Sequence, residues 1–280
     1  MITALDHIVL LCPDIEAGIA DYSVLMGVPP VWRADAEGAA TAMFAVQNTA
    51  LELMAPNGSG ETADKLRALT TNRAQLTSLA YRTDIIDEAY RKFGRRGLAP
   101  SDITSGKSTD LDSGAVRTWR RFRLPDDKMA NIKSFVLELG GSILEQKGAS
   151  TGAVTSLDHI VINTPNPDRA VATYGARLGL RFALDRTAEQ WKTRFMFFRI
   201  GDLTLEVIHR LGDEHDAAGP DKLWGMTWAV EDLDAAHARL DQAGRDVSDI
   251  RTGRKPGSSV FTIRDGTLGV PTLFIDHAPR

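Results

Sequence analysis

The hydrophobic pattern opens on a strand. Residues 5–10, LDHIVL, are apolar on both sides of the alternation apart from Asp6 and His7, as in a strand covered on both faces. A helix follows, with Asp14 after Pro13 as its N-cap and a stop near Gly27. Three shorter strands come next, the last two joined at Gln47-Asn48, which suits a tight hairpin. Strand, helix and strands then recur, with helices near 85–95 and 232–243 followed by Gly97 and Gly244.

This recurrence is an internal repeat. Residues 4–28 align without a gap on 156–180, placing His7 on His159, Pro13 on Pro165, Tyr22 on Tyr174 and Gly27 on Gly179. Asn166 and Pro167 then open the matching helix, and Gly201-Asp202 matches the hairpin turn. FAVQNTALE ends at Glu52 and FRIGDLTLE at Glu206. Residues 78–103 lie on 225–250, and IKSFVLEL (132–139) lies on VPTLFIDH (270–277), setting Glu138 opposite Asp276. The expected organisation is a domain over 1–140, a Gly- and Ser-containing linker over 141–155, and a second domain over 156–280.

Composition narrows the partners. With 33 Lys+Arg against 37 Asp+Glu and no long basic run, the chain offers no footprint for nucleic acid or an anionic membrane. A small-molecule partner is expected. The single cysteine, Cys12, excludes an internal disulfide, and the N-terminus fits neither a signal peptide nor a membrane span, so a cytoplasmic location is expected. No Gly-x-Ser-x-Gly elbow occurs, and Cys12 has no evident activating partner.

Four strand–helix–strand–strand–strand units with DHIVL openings, ALEL or TLEV fourth strands and an EDLDAA helix start resemble the vicinal oxygen chelate superfamily. That group includes glyoxalase I, bleomycin-resistance proteins, extradiol dioxygenases and several epimerases. The resemblance covers nearly the whole chain and implies an α+β fold: four βαβββ modules paired into two incomplete barrels with helices outside. It also implies metal ligands on the first and fourth strands of each unit. The matching positions are His7, Glu52, Ser78 and Glu138 in the first half and His159, Glu206, Gly225 and Asp276 in the second, with His277 as an alternative to Asp276. Each half thus keeps one His and two carboxylates, without the second His that ring-cleaving iron oxygenases need. The implied cofactor is one divalent ion, Zn, Mn, Fe, Ni or Mg. Members often form a homodimer, although two homologous halves could meet that packing within one chain.

The residues bear on this independently. Alternation puts Leu5, His7, Val9 and Leu11 on one strand face, and Ala50, Glu52 and Met54 on another. An acid with such neighbours is costly to bury ionised unless it meets a cation or several donors. A divalent ion is one solution. The plainer alternative is a His that completes a buried network and a Glu paired with an Arg such as Arg33 or Arg199.

Trp191, Phe195, Phe197, Trp224 and Trp228 make the second half richer in pocket-like side chains, and Arg117 could clamp a carboxylate. RTGRKPGS (251–258) lacks a P-loop ending and reads as a basic turn. His209, His215 and His237 read as rim, loop and helix-surface residues.

Three functions compete. The first is a metal-dependent isomerase, epimerase or lyase, with the ion on His159, Glu206 and Asp276, an enediolate as intermediate and Glu206 as base. His7, Glu52 and Glu138 would form a degenerate or second site. The second is a metal-free small-molecule binding protein of the resistance type. The third is an atypical extradiol-type dioxygenase.

Overall fold

The computed structural model describes residues 1–280 except 72, 142, 213–215 and 278–280. The first half runs β1 (Ile2–Leu11), α1 (Ile15–Met26), β2 (Trp32–Ala36), β3 (Ala39–Val46), β4 (Thr49–Pro56), α2 (Glu61–Thr70), β5 (Gln75–Thr83), α3 (Ile86–Arg95), β6 (Thr104–Thr109), β7 (Val116–Leu124) and β8 (Lys133–Leu139). The second runs β9 (Val154–Asn163), α4 (Pro167–Ala170), β10 (Arg181–Ala188), β11 (Thr193–Ile200), β12 (Leu203–Arg210), β13 (Lys222–Val230), α5 (Leu233–Gln242), β14 (Arg251–Thr252), β15 (Ser258–Ile263) and β16 (Thr272–His277).

Each half forms one eight-stranded mixed sheet, in the orders β2-β3-β4-β1-β5-β8-β7-β6 and β10-β11-β12-β9-β13-β16-β15-β14. The first and fourth strands of every module pair in parallel, and the two modules of a half meet antiparallel at β1–β5 and β9–β13. The expected four βαβββ modules in two incomplete barrels are therefore present.

Local chemistry explains the helix bounds. The Asp14 carboxylate accepts the Ala17 N–H at 2.9 Å, and Asn166 accepts that of Arg169 at 2.9 Å with Pro167 beside it. Gly27 ends α1 at φ 71°, a conformation that costs glycine little. Two features have no counterpart in the expected pattern: α2, and the π-helical turn Val171–Arg177 that continues α4.

One apolar core runs through both halves, holding Tyr22, Phe44, Phe93 and Phe122 together with Tyr174, Phe198, Trp228 and Phe274. Polar ties reinforce it. Tyr22 donates to the Thr267 carbonyl at 3.1 Å, and the Arg239 guanidinium donates to the Val24 and Leu25 carbonyls at the end of α1. The β3–β4 turn docks on β9, where the Asn48 amide accepts the Leu157 N–H and donates to the Leu157 carbonyl, both at 2.9 Å.

A β-bulge sits in the first strand of every module. Leu5 pairs with Tyr81 and His7 with Ala80, so Asp6 is the extra residue; Asp158, Thr77 and Trp224 are extra in β9, β5 and β13. Each bulge reverses the alternation. Leu5, Ile8 and Leu10 face the main core, whereas Val9 and Leu11 join a separate cluster on the opposite, concave face. This corrects the face expected to carry Leu5 beside His7: His7 shares its face with Val9 and Leu11 but not with Leu5. Ala50, Glu52 and Met54 do share the concave face, because Leu51 and Leu53 between them are in the main core.

Candidate functional site

The bulges bring consecutive residues of one strand to the same concave surface. In the second half Asp158 accepts from His159 Nδ1 at 2.7 Å, fixing the ring. His159 Nε2 then lies 3.1 Å from Glu206 Oε2 and 2.9 Å from Thr227 Oγ1. Glu206 reaches this point because it pairs beside Val161, two residues past His159, across the parallel β9–β12 ladder. Lys255 Nζ donates to both Asp158 oxygens at 2.9 and 3.1 Å, and His277 Nε2 lies 2.5 Å from Oδ2.

The first half repeats the arrangement. His7 Nδ1 lies 2.8 Å from Asp6 Oδ2, and His7 Nε2 lies 3.4 Å from Glu52 Oε2. Arg117 takes the place of the lysine, with Nη2 at 3.1 and 3.3 Å from the two Asp6 oxygens. Both glutamates thus meet the histidine, while Arg33 pairs with Glu16 and Arg199 donates to Thr204.

What packs on the flanking apolar residues, and not exposure of the networks themselves, separates the two halves: His7 and Glu52 are 17% and 16% exposed, His159 and Glu206 18% and 13%. Leu66 of α2 packs over Val9, Leu11, Ala39 and Met54 at one end of the first concave face, and Leu144 packs over Trp32, Ala34, Met43 and Ala50 toward the other. In the second half the corresponding apolar group is Val161, Ala188, Phe195, Phe197 and Ile208; all but Phe197 are buried, with the short turn Glu189–Trp191 rather than a long helix beside them. Trp191 stands edge-on to Phe195 at 6.1 Å and is 39% exposed. Arg254, in the basic turn after β14, stacks over Trp191 at 4.0 Å. A cavity of about 530 Å³ opens beside this face, lined among others by Asn48, Asp158, Arg199, Lys255 and His277.

Burial and charge act in opposition on the Asp–His pairs. Burial works to raise the Asp6 carboxyl, but the hydrogen bond and charge of His7 and the charge of Arg117 outweigh it and hold it below its ordinary range. Burial would lower His7, yet the hydrogen bond to Asp6 and the charges of Glu52 and Asp6 raise it above 6.5. For Asp158, burial is likewise outweighed, by His159 and Lys255, and the carboxyl sits well below its ordinary range.

Protonated His7 therefore favours the folded state. Because its folded value is raised, the stabilisation is complete below the unfolded value of 6.5 and is lost as pH rises through the folded midpoint. An NMR titration of the His7 ring should give a midpoint above 6.5, falling in Asp6→Asn; a midpoint at or below 6.5 would contradict the network.

Several expected site residues lie elsewhere. Glu138 accepts the Ile86 N–H at 2.8 Å and so serves the first turn of α3, with Arg120 3.7 Å away. Its neighbour Val136 belongs to the main core, so the alternation of β8 sends Glu138 to the helix side. Asp276 is displaced for the same reason, because an unbroken β15–β16 register leaves it on the face opposite His277. Trp228 is fully buried in the main core, away from any ligand surface. Trp224 is 46% exposed at its bulge. Arg117 is committed to Asp6 and has no free clamp to offer. His237 packs edge-on against Phe261 at 5.1 Å, where a surface position was expected, and His215 lies outside the described residues.

A divalent ion would find two protein donors in each half, the His and one Glu. The counterparts of these donors in the second modules follow from the ladder. Two residues past Ser78 is Ala80, which pairs with Phe135; two past Gly225 is Thr227, which pairs with Leu273. Phe135 and Leu273 occupy the fourth-strand ligand places, and neither can bind a metal. Among the described residues no group of three or more His, Cys, Asp or Glu could hold an ion. One His and one carboxylate fall short of the three protein ligands of catalytic zinc or iron sites, so the residues present do not fit a resident catalytic zinc or iron ion.

Sequence reasoning missed Asp6, Asp158 and Lys255. The signal was a polar Asp-His pair in the middle of an otherwise doubly apolar strand, written twice.

Comparison with known proteins bears on the same architecture. Residues 5–153 match the family described as Glyoxalase-like domain, and residues 158–261 match that described as Glyoxalase/Bleomycin resistance protein/Dioxygenase superfamily. No curated protein sequence matches the chain. Among solved structures, a triple mutant of 4-hydroxymandelate synthase from Streptomyces coelicolor superposes with TM-score 0.70 at 11% identity, covering 100% of this chain and 94% of the other. A halotolerant catechol dioxygenase gives 0.64 at 14%, covering 99% and 87%. The Mn(II)-bound glyoxalase from Novosphingobium aromaticivorans gives 0.64 at 15%, covering 99% and 83%. At these identities the likeness concerns the fold. No helix among the described residues is long and apolar enough to cross a membrane.

Proposed function

Since the chain belongs to the glyoxalase-like domain family, and its second half matches a superfamily described by glyoxalase, bleomycin resistance protein and dioxygenase together, we propose that it binds a small molecule on the concave face of its second half, without a resident divalent metal. The observation that carries this reading is the pairing of an aromatic group, accessible at Phe197 and Trp191, with a polar floor. Phe195 and Phe197 line the face, Trp191 stands at its margin, and His159 and Glu206 lie beside Phe197 through the β11–β12 ladder. Concave, mostly apolar surfaces with a few convergent polar groups are where small ligands bind.

The donor set argues against the metal-dependent isomerase or lyase reading, and equally against a dioxygenase. A zinc or iron ion chelating the substrate would need three protein groups, and each half supplies two. His159 is instead engaged at both nitrogens, by Asp158 on one side and by Glu206 and Thr227 on the other. Such a ring is a fixed hydrogen-bonding floor. In the first half the equivalent network is as accessible, but Leu66 of α2 and Leu144 pack on the apolar residues at both ends of its face.

The test is a fluorescence titration with Nile red, a neutral apolar dye. One dye per chain is expected, weakened about tenfold by Trp191→Ala and unchanged by Phe182→Ser on the outer face. Binding indifferent to Trp191→Ala would place the dye elsewhere and refute the reading.

A further inference from the structure

We infer that the ligand is an amphiphilic carboxylate, an apolar body ending in a single carboxylate head, with Arg199 as the residue that selects it. The inference deepens the reading above and rests on it.

The order of side chains along β11 carries the argument. Phe195, Phe197 and Arg199 alternate with the core residues Met196, Phe198 and Ile200, so all three project from the concave side. Phe195 and Phe197 lie nearly parallel, with ring centres 6.3 Å apart and planes 15° apart. Arg199 is the next residue on that face. Phe195 is 8% exposed, with Trp191 and Arg254 against it, so a ligand laid along the strand would cover the Phe197 ring and then meet a guanidinium.

The cavity of about 530 Å³ lies at this polar end. It is lined by three basic side chains, Arg199, Lys255 and His277, and by two acids, Asp158 and Asp202. Asp158 is already occupied, accepting from His159, Lys255 and His277. Lys255 and His277 thus already have a partner in Asp158. Arg199 differs: its Nη1 donates to Thr204 Oγ1 at 2.7 Å, which orients the head, and no carboxylate pairs with it among the described residues. The remaining guanidinium N–H groups form a planar fork suited to a carboxylate. The Asn48 amide cannot compete, being spent on the Leu157 backbone.

Apolar contact over Phe197 supplies affinity, and Arg199 supplies the choice of head group. A neutral amide of the same shape would bury its body equally well but would leave the guanidinium without its charged partner.

Displacement of bound Nile red by phenylacetate and by phenylacetamide tests this. Phenylacetate should displace the dye at about a tenfold lower concentration than phenylacetamide, and Arg199→Gln should reduce that preference to about twofold or less while dye binding persists. Equal displacement by the two compounds, displacement by neither, or a preference that survives Arg199→Gln would overturn the inference and leave the binding face standing. Absence of dye binding to the wild-type chain would overturn both.

Discussion

Asp6→Ala should cost about 3–5 kcal/mol of folding stability, a loss typical of removing one partner from a buried ion pair. The Asp6 side chain is 2% exposed and accepts from two cationic groups, Arg117 and His7, which are themselves mostly buried. Removing the carboxylate leaves a guanidinium in a pocket that also holds Met43, with little water to replace its partner. Replacing both members should hurt less. In Asp6→Ala with Arg117→Met, the uncompensated charge is gone and much of the loss should return, a coupling that a double-mutant cycle in urea measures directly. Additive losses would show that the two groups do not act as a pair.

Trp228→Ala is expected to be as damaging, by about 3–5 kcal/mol, because it empties a large volume from a packed interior. Trp228 is fully buried, pairs in register with Phe274, and shares the core with the stacked Phe261–Phe274 pair, whose ring centres lie 4.9 Å apart. Its Nε1 finds no acceptor among the described residues. Trp228→Phe should therefore cost much less, since it keeps an aromatic ring and removes an unsatisfied donor. Both variants, where folded, should bind Nile red like the wild type. A Trp228→Ala protein with wild-type stability and lost dye binding would instead put this residue on the ligand surface.

The division between what the sequence disclosed and what it hid has a physical basis. His7, His159, Glu52 and Glu206 were legible because a polar residue in an apolar strand is conspicuous, and the repeat showed each twice. The modules and helix caps were legible for the same reason. Bulges break the period of two on which face assignments rest, so Asp6 and Asp158 read as residues of the opposite face when they stand beside their histidines. Glu138 and Asp276 aligned correctly with each other, but alignment carries no information about which face of a strand a residue occupies. The parallel register does, and it puts Phe135 and Leu273 in their place. Lys255 and Arg254 belong to a turn whose sequence suggests only a basic surface; their contacts with Asp158 and Trp191 depend on the barrel curling back on itself.

The two halves share one ancestral pattern yet differ in use. Leu66 of α2 and Leu144 pack on the apolar residues of the first concave face, whereas the second carries the exposed Trp191 and ends at the cavity beside Arg199.

The central claim is that the second half binds its ligand without a divalent ion, and one measurement addresses it most directly. Nile red should be titrated into protein purified without affinity nickel, before and after exhaustive dialysis against chelator and again with added Mn²⁺, with elemental analysis of each sample. The account predicts the same dissociation constant in all three and far less than one equivalent of metal per chain. Near-stoichiometric metal in the untreated protein, with binding lost on chelation and restored by Mn²⁺, would contradict it.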